Sequence, residues 1–397
     1  MSSAPITMTP ADTHELTHLV QSAIAACTPI QILGGDSKAA VGYPSRQTLR
    51  VSMSRFDQIV DYDPAELVLT VGAGVKLSAI QALLAEHDQM LAFEPDDIAK
   101  TLGSCVGTST IGGIVAAGFA GSRRVSAGNV RDHVLGFAAV SGRGEAFVAG
   151  GRVVKNVTGY DLSKLMCGSW GQLAAMTTLT LKVLPRPKMS LTLAAPDLGI
   201  EAAYIYMTRA LRSQADVAAA AYVPARPPGH ESLMLLRLEG FGPSVQARAT
   251  HLESLIETPL KRLDAAPADT LWSRIRSADI AHADTGDDVL WRLCVPATAG
   301  AAVCTTLRES DAHITVDWGG ALIWARMTVN AEPAGIRALA ERAGGHATLM
   351  CAPEHYRLRA PALHPEAPGV AALSRRVKAS FDPAGILDPH RFEAPPA

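Results

Sequence analysis

Glycine is concentrated in one part of this chain. Seven glycines lie between Gly103 and Gly128, whereas 33 glycines in 397 residues predict about two in a stretch of that length. Small residues fill most of the central segment, residues 108–121. Backbone without bulky side chains can pack closely against a large planar ligand or against another helix. The arginine-rich, polar residues 122–124 and 128–136 that follow favour an anionic, partly polar ligand.

A second glycine pair follows a strand-like run near the N-terminus. Residues 32–38 read Ile-Leu-Gly-Gly-Asp-Ser-Lys. Paired glycines let backbone N–H groups converge on the oxygens of a pyrophosphate, and Ser37 and Lys38 add a hydroxyl and a charge. A plain turn is the alternative. We predict that the two segments, near positions 35 and 112, fold together into one cradle for a diphosphate-bearing cofactor.

Composition narrows the class of protein. The chain is 48% hydrophobic and 19% charged, as globular proteins are, and its net charge of −2 without a basic cluster argues against nucleic-acid binding. No apolar run reaches the roughly 18 residues of a spanning helix, and the N-terminus lacks the pattern of a secretion signal. The six cysteines form no CxxC pair, which argues against a bound iron–sulfur cluster. We therefore predict a cytoplasmic protein with reduced thiols.

Two further motifs point to chemistry that the surrounding sequence does not support. His14-Glu-Leu-Thr-His18 has the zinc-protease spacing, but both histidines fall opposite the apolar helix stripe and no third ligand follows. We predict no metal site. Gly72-Ala-Gly74 follows a strand as a dinucleotide fingerprint would, with Glu94 as a ribose ligand, but leucine replaces the third glycine. A tight strand-to-helix turn is the favoured interpretation.

Hydrophobic periodicity predicts an α+β fold. In the first half it indicates helices over residues 11–27 and 77–86, and strands over 30–33, 48–53, 67–71, 134–140, 146–148 and 175–183. The two prolines in residues 183–188 mark a boundary. Beyond it, helices over 201–213, 244–257 and 333–343 alternate with strands over 232–239, 289–295 and 321–329. This pattern predicts an antiparallel sheet with helices on one side. A proline-rich connector, 352–368, then precedes a helix over 370–381.

Longer signatures connect these features to a known family. They include VKNVTGYDLSKLM (154–166), VDWGGALIWA (316–325) and FDPAGILDPHR (381–391). Over residues 4–187 the chain resembles the FAD-binding domain of the vanillyl-alcohol oxidase / p-cresol methylhydroxylase family. Over its whole length it resembles the FAD-binding E subunits of bacterial glycolate oxidase. The implied domains are a two-subdomain FAD-binding (PCMH-type) domain (1–187), an α/β cap domain with an antiparallel sheet (188–351), and a C-terminal segment (352–397) that returns to the FAD domain.

The resemblance also implies the cofactor site. Gly34, Gly35, Asp36, Ser37 and Lys38 would hold the FAD pyrophosphate. The ribityl chain and the flavin edge would contact Thr110, Ile111, Gly112, Gly113, Ala116, Gly118 and Gly121, with Asn129 and Asp132 beside them. Residues 171–176, including Gly171 and Met176, would run as a strand under the flavin pyrimidine. Some relatives attach flavin through a histidine in the early loops. Residues 29–85 contain none here, which predicts non-covalent binding.

Oxidising a 2-hydroxy acid requires a cation for the carboxylate, a base for the hydroxyl proton and a hydride acceptor. His346 is the candidate base. Arg391 is a candidate ligand for phosphate or carboxylate. The chain departs from the family at Ala174, which usually is glycine, and at Asp388-Pro-His-Arg391, which usually reads Asn-Pro-Gly-Arg. It also lacks the histidine-rich metal motifs of catalytic relatives.

The leading hypothesis is an FAD-binding subunit that takes part in electron transfer from glycolate to glyoxylate. The resemblance implies two partners, a catalytic flavin subunit and an iron–sulfur subunit, and a small 2-hydroxy acid as substrate. Contact with the inner membrane would be peripheral and made through those partners. Two alternatives remain open: a non-catalytic assembly subunit of the same complex, and a stand-alone flavin-dependent oxidase.

Overall fold

The computed structural model describes residues 7–44, 49–152, 160–225, 231–279 and 287–393. Strands of the N-terminal half are β1 (Thr7–Met8), β2 (Ile30–Leu33), β3 (Leu49–Ser52), β4 (Ile59–Asp63), β5 (Val68–Gly72), β6 (Gln89–Met90), β7 (Val134–Ser141), β8 (Ala146–Gly150), β9 (Ala174–Lys182) and β10 (Leu184–Pro185). Its helices are α1 (Thr13–Ala25), α2 (Leu77–Ala85), α3 (Ile111–Ala117), α4 (Arg124–Ala127) and α5 (Leu162–Met166).

Two sheets organise the N-terminal half. The first is parallel, in the order β1-β3-β2, and the second is antiparallel, in the order β4-β5-β9-β7-β8. Helix α1 begins at a cap in which Asp12 accepts a hydrogen bond from the Glu15 N–H, and it buries Leu16, Val20 and Ala23. These three residues share a core with β2 and β3. The predicted strands and helices of this half therefore occur within a few residues of their predicted bounds.

The C-terminal half contains one large sheet. Its strands are β11 (Met189–Pro196), β12 (Val217–Val223), β13 (Leu233–Gly240), β14 (Lys261–Leu263), β15 (Asp288–Cys294), β16 (His313–Asp317), β17 (Leu322–Thr328) and β18 (His346–Cys351). Its helices are α6 (Ile200–Leu211), α7 (Gly242–Leu255), α8 (Ala265–Arg276), α9 (Ala297–Glu309) and α10 (Pro333–Arg342). All eight strands pair antiparallel in the order β14-β11-β13-β12-β16-β17-β15-β18.

The two faces of this sheet meet different partners. Alternate residues of its strands pack one face against α6, α7, α9 and α10. On the opposite face, Trp272 and Ile275 of α8 cover Ala219, Ala221 and Leu235. The sequence predicted that the helices lie on one side of this sheet, and this prediction is wrong for α8, which lies on the other side. The rest of that second face meets the N-terminal half, where Leu290, Trp324 and Met350 pack against Val41, Ile98 and Leu102.

The last segment of the chain makes contacts with the first sheet. It begins with α11 (Glu354–Arg359), which lies inside the predicted connector, and continues with α12 (Pro368–Phe381). The Ile30 N–H donates to the Ile386 carbonyl at 2.7 Å, and the Asp388 N–H donates to the Ile30 carbonyl, also at 2.7 Å. These bonds extend the edge of the sheet beside β2. They bring the residues after Ile386 to the loop that follows β2.

Candidate functional site

The two glycine segments lie in direct contact. A Cβ added at Gly35 would come within 1.5 Å of the Thr108 carbonyl oxygen, and one at Gly34 within 2.2 Å of Thr110 Oγ1. Only glycine allows the backbone to approach this closely. The structure thus brings the segments near positions 35 and 112 together.

A cleft opens where these segments meet. Its empty space is about 690 Å³, mouth included. It is lined by Ile32, Leu33, Gly34, Gly35, Asp36, Ser37, Lys38, Met53, Ala73, Thr110, Gly112, Gly113, Ala116, Trp170, Gly171, Ala174, Met176 and Arg391. A wider groove of about 1150 Å³ adjoins it and shares residues 33–36 and Thr110. The loop after β2 therefore borders both spaces, as a long, bent ligand requires.

The same loop offers free hydrogen-bond donors. Among the described residues, the backbone N–H groups of Gly35, Asp36, Ser37 and Lys38 donate to no protein acceptor. Asp36 has a left-handed backbone (φ 54°), and its carboxylate pairs with Arg50. Successive N–H groups in such a turn form a concave anion site. The N–H groups at the start of α3, by contrast, already donate to the Val75 and Ala73 carbonyls and to Thr110 Oγ1.

Lys38 places a positive charge beside these donors. Its side chain is buried (8% exposed), and Nζ lies 3.3 Å from Ser37 Oγ. Ser109 Oγ continues the polar chain, 3.0 Å from Ser37 Oγ and 2.6 Å from Asp97 Oδ1. Burial lowers the pKa of Lys38 to about 8, although the negative charge of Asp97 opposes the shift. A bound anion would favour the protonated amine.

Most of the predicted cofactor residues border the cleft. The eleven that line it are Gly34, Gly35, Asp36, Ser37, Lys38, Thr110, Gly112, Gly113, Ala116, Gly171 and Met176. Gly171 precedes β9 and has a left-handed backbone (φ 78°), so the predicted strand over 171–176 begins only at Ala174. The assignment of these residues to FAD contacts stays a prediction.

The other five predicted residues are not among those that line the cleft, and each has a local structural role. Ile111 points into the core under β5. Gly118 ends α3 with a left-handed backbone, and the Gly121 N–H donates to the Phe93 carbonyl. Asn129 and Asp132 form a capping box, in which the Asn129 N–H donates to Asp132 Oδ2 at 2.8 Å. Capping explains their presence after the glycine segment without a ligand.

Trp170 was not predicted from the sequence, yet it lines the cleft. Its backbone is left-handed (φ 54°), an uncommon conformation for a bulky residue, and its N–H donates to the Ala116 carbonyl at 2.9 Å. The Arg391 guanidinium lies 4.9 Å from its ring. The only sequence signal was an aromatic residue within the glycine-containing turn 168–171. Strain of this kind is typical of ligand-binding turns.

The two predicted catalytic residues occupy different places. Arg391 lines the cleft, donates from Nη2 to the Lys38 carbonyl at 3.0 Å, and lies 3.5 Å from Asp388 Oδ2. His346, at the start of β18, does not line the cleft. Burial and the charges of Arg292 and Arg124 lower its pKa.

Glu94, the alternative ribose ligand, also lies outside the cleft. Its carboxylate is 2.8 Å from Arg237 Nη1 and 3.2 Å from Arg276 Nη1. These ion pairs connect the N-terminal half to β13 and α8. The dinucleotide interpretation is therefore wrong for this residue.

The site fits FAD in two respects. Free N–H groups and Lys38 provide donors and charge for a diphosphate, and the glycines of α3 and the loop leave space that any Cβ at Gly113 would enter. Fold and site together define an FAD-binding flavoprotein with a cofactor cleft in its N-terminal half and a large antiparallel sheet, here called the cap sheet, in its C-terminal half.

Comparison with known proteins supports this class. A family profile described as an FAD binding domain matches residues 4–150. The glycolate oxidase subunit GlcE of Escherichia coli is 34% identical over 94% of this chain and 95% of its own length. The glycolate oxidase subunit GlcD of Bacillus subtilis is 28% identical over 54% of this chain and 43% of its own length. A solved structure of alkyldihydroxyacetonephosphate synthase, 16% identical, matches 96% of this chain and 76% of its own with a TM-score of 0.68.

The chain therefore belongs to the GlcE family of glycolate oxidase subunits. The predicted family, the α+β FAD-binding fold and the FAD cofactor are confirmed. Of the motif at 154–166, residues 154–159 lie outside the described residues. Among the helices in the described ranges, none has the length and apolarity that a bilayer crossing needs.

Proposed function

We propose that this protein is the FAD-binding subunit of a glycolate-oxidising complex and takes part in the conversion of glycolate to glyoxylate. The observation that supports it most strongly is the 34% identity to GlcE over nearly the full length of both chains. The cleft adds an independent physical argument, because its free donors and side-chain-poor walls suit FAD.

Each part of the cleft has a proposed task. The N–H groups of residues 35–38 and the Lys38 charge would bind the diphosphate. Gly113 and Ala116 of α3 would leave room for the flavin. Arg391, between Lys38 and Trp170, would fix the loop against the C-terminal segment. When bound, FAD supplies the hydride acceptor for the substrate C–H bond.

FAD binding is proposed to be non-covalent. A covalent link to the flavin needs a nucleophilic side chain, such as histidine, cysteine or tyrosine, within reach. None of these three types lines the cleft or the adjoining groove in the described part of the chain. Flavin should therefore leave the protein when the fold is lost.

The partners follow from the family. Its relatives GlcE and GlcD are both described as glycolate oxidase subunits, which implies a multi-subunit complex. We propose that a second flavin subunit and an iron–sulfur subunit complete the complex here. Peripheral attachment to the inner membrane through these partners is part of the same proposal.

Purification of the full chain, alone and with its partners, tests the proposal. The chain alone should be yellow and should release FAD into the supernatant on acid denaturation. The complex should reduce an artificial electron acceptor when glycolate is added, and the chain alone should not. A colourless chain inside an active complex would support the assembly-subunit alternative instead. Reduction of the lone chain's flavin by glycolate would identify a stand-alone oxidase.

A further inference from the structure

A second, narrow cavity shares Lys38 with the cofactor cleft. Its empty space is about 430 Å³, opening included, and it lies between the N-terminal half and the large sheet. Phe119 and Asp96 line it from one side, and Arg292 of β15 and Trp324 of β17 line it from the other. A ligand in this cavity would thus be next to both Lys38 and the cleft.

The charges around the cavity leave an excess of positive charge. Arg276 is neutralised, because its Nε lies 3.2 Å from Asp96 Oδ2 and its Nη1 lies 3.2 Å from Glu94 Oε1. Arg292 makes no hydrogen bond or ion pair with any described residue. Among the described residues, the Lys38 amine has one hydrogen-bond partner, Ser37 Oγ. A guanidinium with five unused donors in a partly buried position favours an anionic ligand.

Aromatic rings hold the Arg292 guanidinium in place. Its central carbon is 5.2 Å from the ring of Phe119, 5.1 Å from that of Trp318 and 5.9 Å from that of Trp324. Such contacts stabilise a cation without using its hydrogen-bond donors. The guanidinium is therefore oriented by the aromatic rings, and its N–H groups remain available.

Trp324 supplies a second unused donor. The residue is 5% exposed, and its indole Nε1 has no hydrogen-bond partner among the described residues. A buried N–H group without a partner is costly, and native structures usually satisfy such groups. A carboxylate in the cavity would accept from Arg292 and from this indole.

We propose that this cavity binds the carboxylate of a small 2-hydroxy or 2-oxo acid, with Arg292 as its principal ligand and Trp324 Nε1 as a second donor. The site deepens the proposed function and rests on it, since it places an acid of the glycolate type beside Lys38 and the cofactor cleft. Arg292 is then the residue that selects carboxylates, a role that sequence analysis gave to Arg391.

Oxalate is a suitable probe, because it has the planar carboxylate but no C–H bond to lose. Its binding to the FAD-loaded full chain is measured by calorimetry. Arg292→Met should weaken binding on the order of 10- to 100-fold, the usual loss for a charged hydrogen bond. Arg292→Lys should restore part of it. Arg375→Met is the matched control, because Arg375 is exposed on α12, and it should leave binding unchanged.

Three results would overturn the carboxylate site: an FAD-loaded chain that does not bind oxalate, oxalate binding that survives Arg292→Met, or inorganic phosphate that binds more tightly than oxalate at the same residue. If Arg292→Met fails to fold, Trp324→Phe keeps the ring and removes the N–H, and it should weaken oxalate roughly 3- to 10-fold. If the proposed function is wrong, the chain will not retain FAD, and this result is distinct from a loss of oxalate binding. Calorimetry of oxalate binding to that apo chain would still test the cavity.

Discussion

Replacing Gly113 with leucine separates cofactor binding from folding. Gly113 is the third residue of α3 and lines the cleft. Apart from its chain neighbours and its own helix backbone, an added Cβ would have one heavy atom of the described residues within 4 Å, namely Thr110 Oγ1 at 3.3 Å. Because Gly113 lines the cleft, we expect the rest of the leucine side chain to extend into the space proposed for FAD.

The substitution should have opposite effects on the stability of the apoprotein and on its affinity for FAD. Glycine within a helix costs about 0.5–1 kcal/mol relative to a good helix former, so the apoprotein should keep or slightly gain stability. Steric overlap typically costs about 1–3 kcal/mol, which corresponds to a dissociation constant raised about 5- to 150-fold. Flavin loss without unfolding is the expected result.

Gly335→Leu is the matched control. Gly335 is the third residue of α10 and is exposed, and in the described part of the chain no heavy atom beyond its own helix backbone and chain neighbours lies within 4 Å of an added Cβ. The assay is flavin absorbance per protein after gel filtration, together with urea unfolding of each apoprotein. Full flavin occupancy in Gly113→Leu would refute the assignment of the cleft. So would equal flavin loss in Gly335→Leu.

Three other perturbations test the surrounding structure. Gly35→Ala forces a Cβ to within 1.5 Å of the Thr108 carbonyl, so urea unfolding should show a loss of about 1–3 kcal/mol; unchanged stability would contradict the close contact. Because the pKa of Lys38 is lowered to about 8, FAD affinity measured by fluorescence titration should fall as the pH rises from 7 to 9, and Lys38→Met should remove this dependence. Glu94→Gln removes a negative charge that compensates the buried Arg237, whose side chain is 5% exposed. The variant should lose about 3 kcal/mol in its free energy of unfolding at pH 7. Burial alone would raise the pKa of Glu94, but the charges of Arg237 and Arg276 outweigh it, so the pKa is lowered in the folded protein. The extra stability of the wild type over Glu94→Gln should therefore be complete above the pKa that Glu94 has in the unfolded chain. It should disappear as the pH falls through the pKa that Glu94 has in the folded protein.

Sequence periodicity was informative where an element has one buried face. The helix over 11–27 and the strands over 30–33 and 134–140 show clear apolar patterns, and the structure places elements there. The pattern was not informative for β12, whose residues 217–223 are mostly alanine and buried on both faces. Alternation between polar and apolar residues is lost when both faces are covered.

In the cofactor site, too, some features could be predicted from the sequence and others could not. The glycines that border the cleft could be predicted from the sequence, because a close approach between two backbone segments requires glycine. At Asn129 and Asp132 the sequence could not distinguish a helix cap from a ligand site, because a capping box and a polar ligand site use the same residue types. Arg292 was missed because nothing in its local sequence shows that β15 faces Phe119, almost 175 positions earlier in the chain. Such contacts depend on how the two halves pack.

The loop after β2 explains why cofactor and acid sites should act together. Its residues line the cleft with backbone N–H groups that have no acceptor among the described residues, and Lys38 also lines the cavity that Arg292 borders from the cap sheet. Arg391 fixes the Lys38 carbonyl, while the Glu94 ion pairs fix the cap. Because Arg292 is on the cap sheet and the proposed diphosphate donors are backbone groups of the loop, we expect a shift of the cap to move Arg292 relative to Lys38 and to leave those donors in place. Variants that break the ion pairs of Glu94 with Arg237 and Arg276 should therefore weaken oxalate binding more than FAD binding. A larger loss of FAD binding than of oxalate binding would show that the cavity does not depend on cap position.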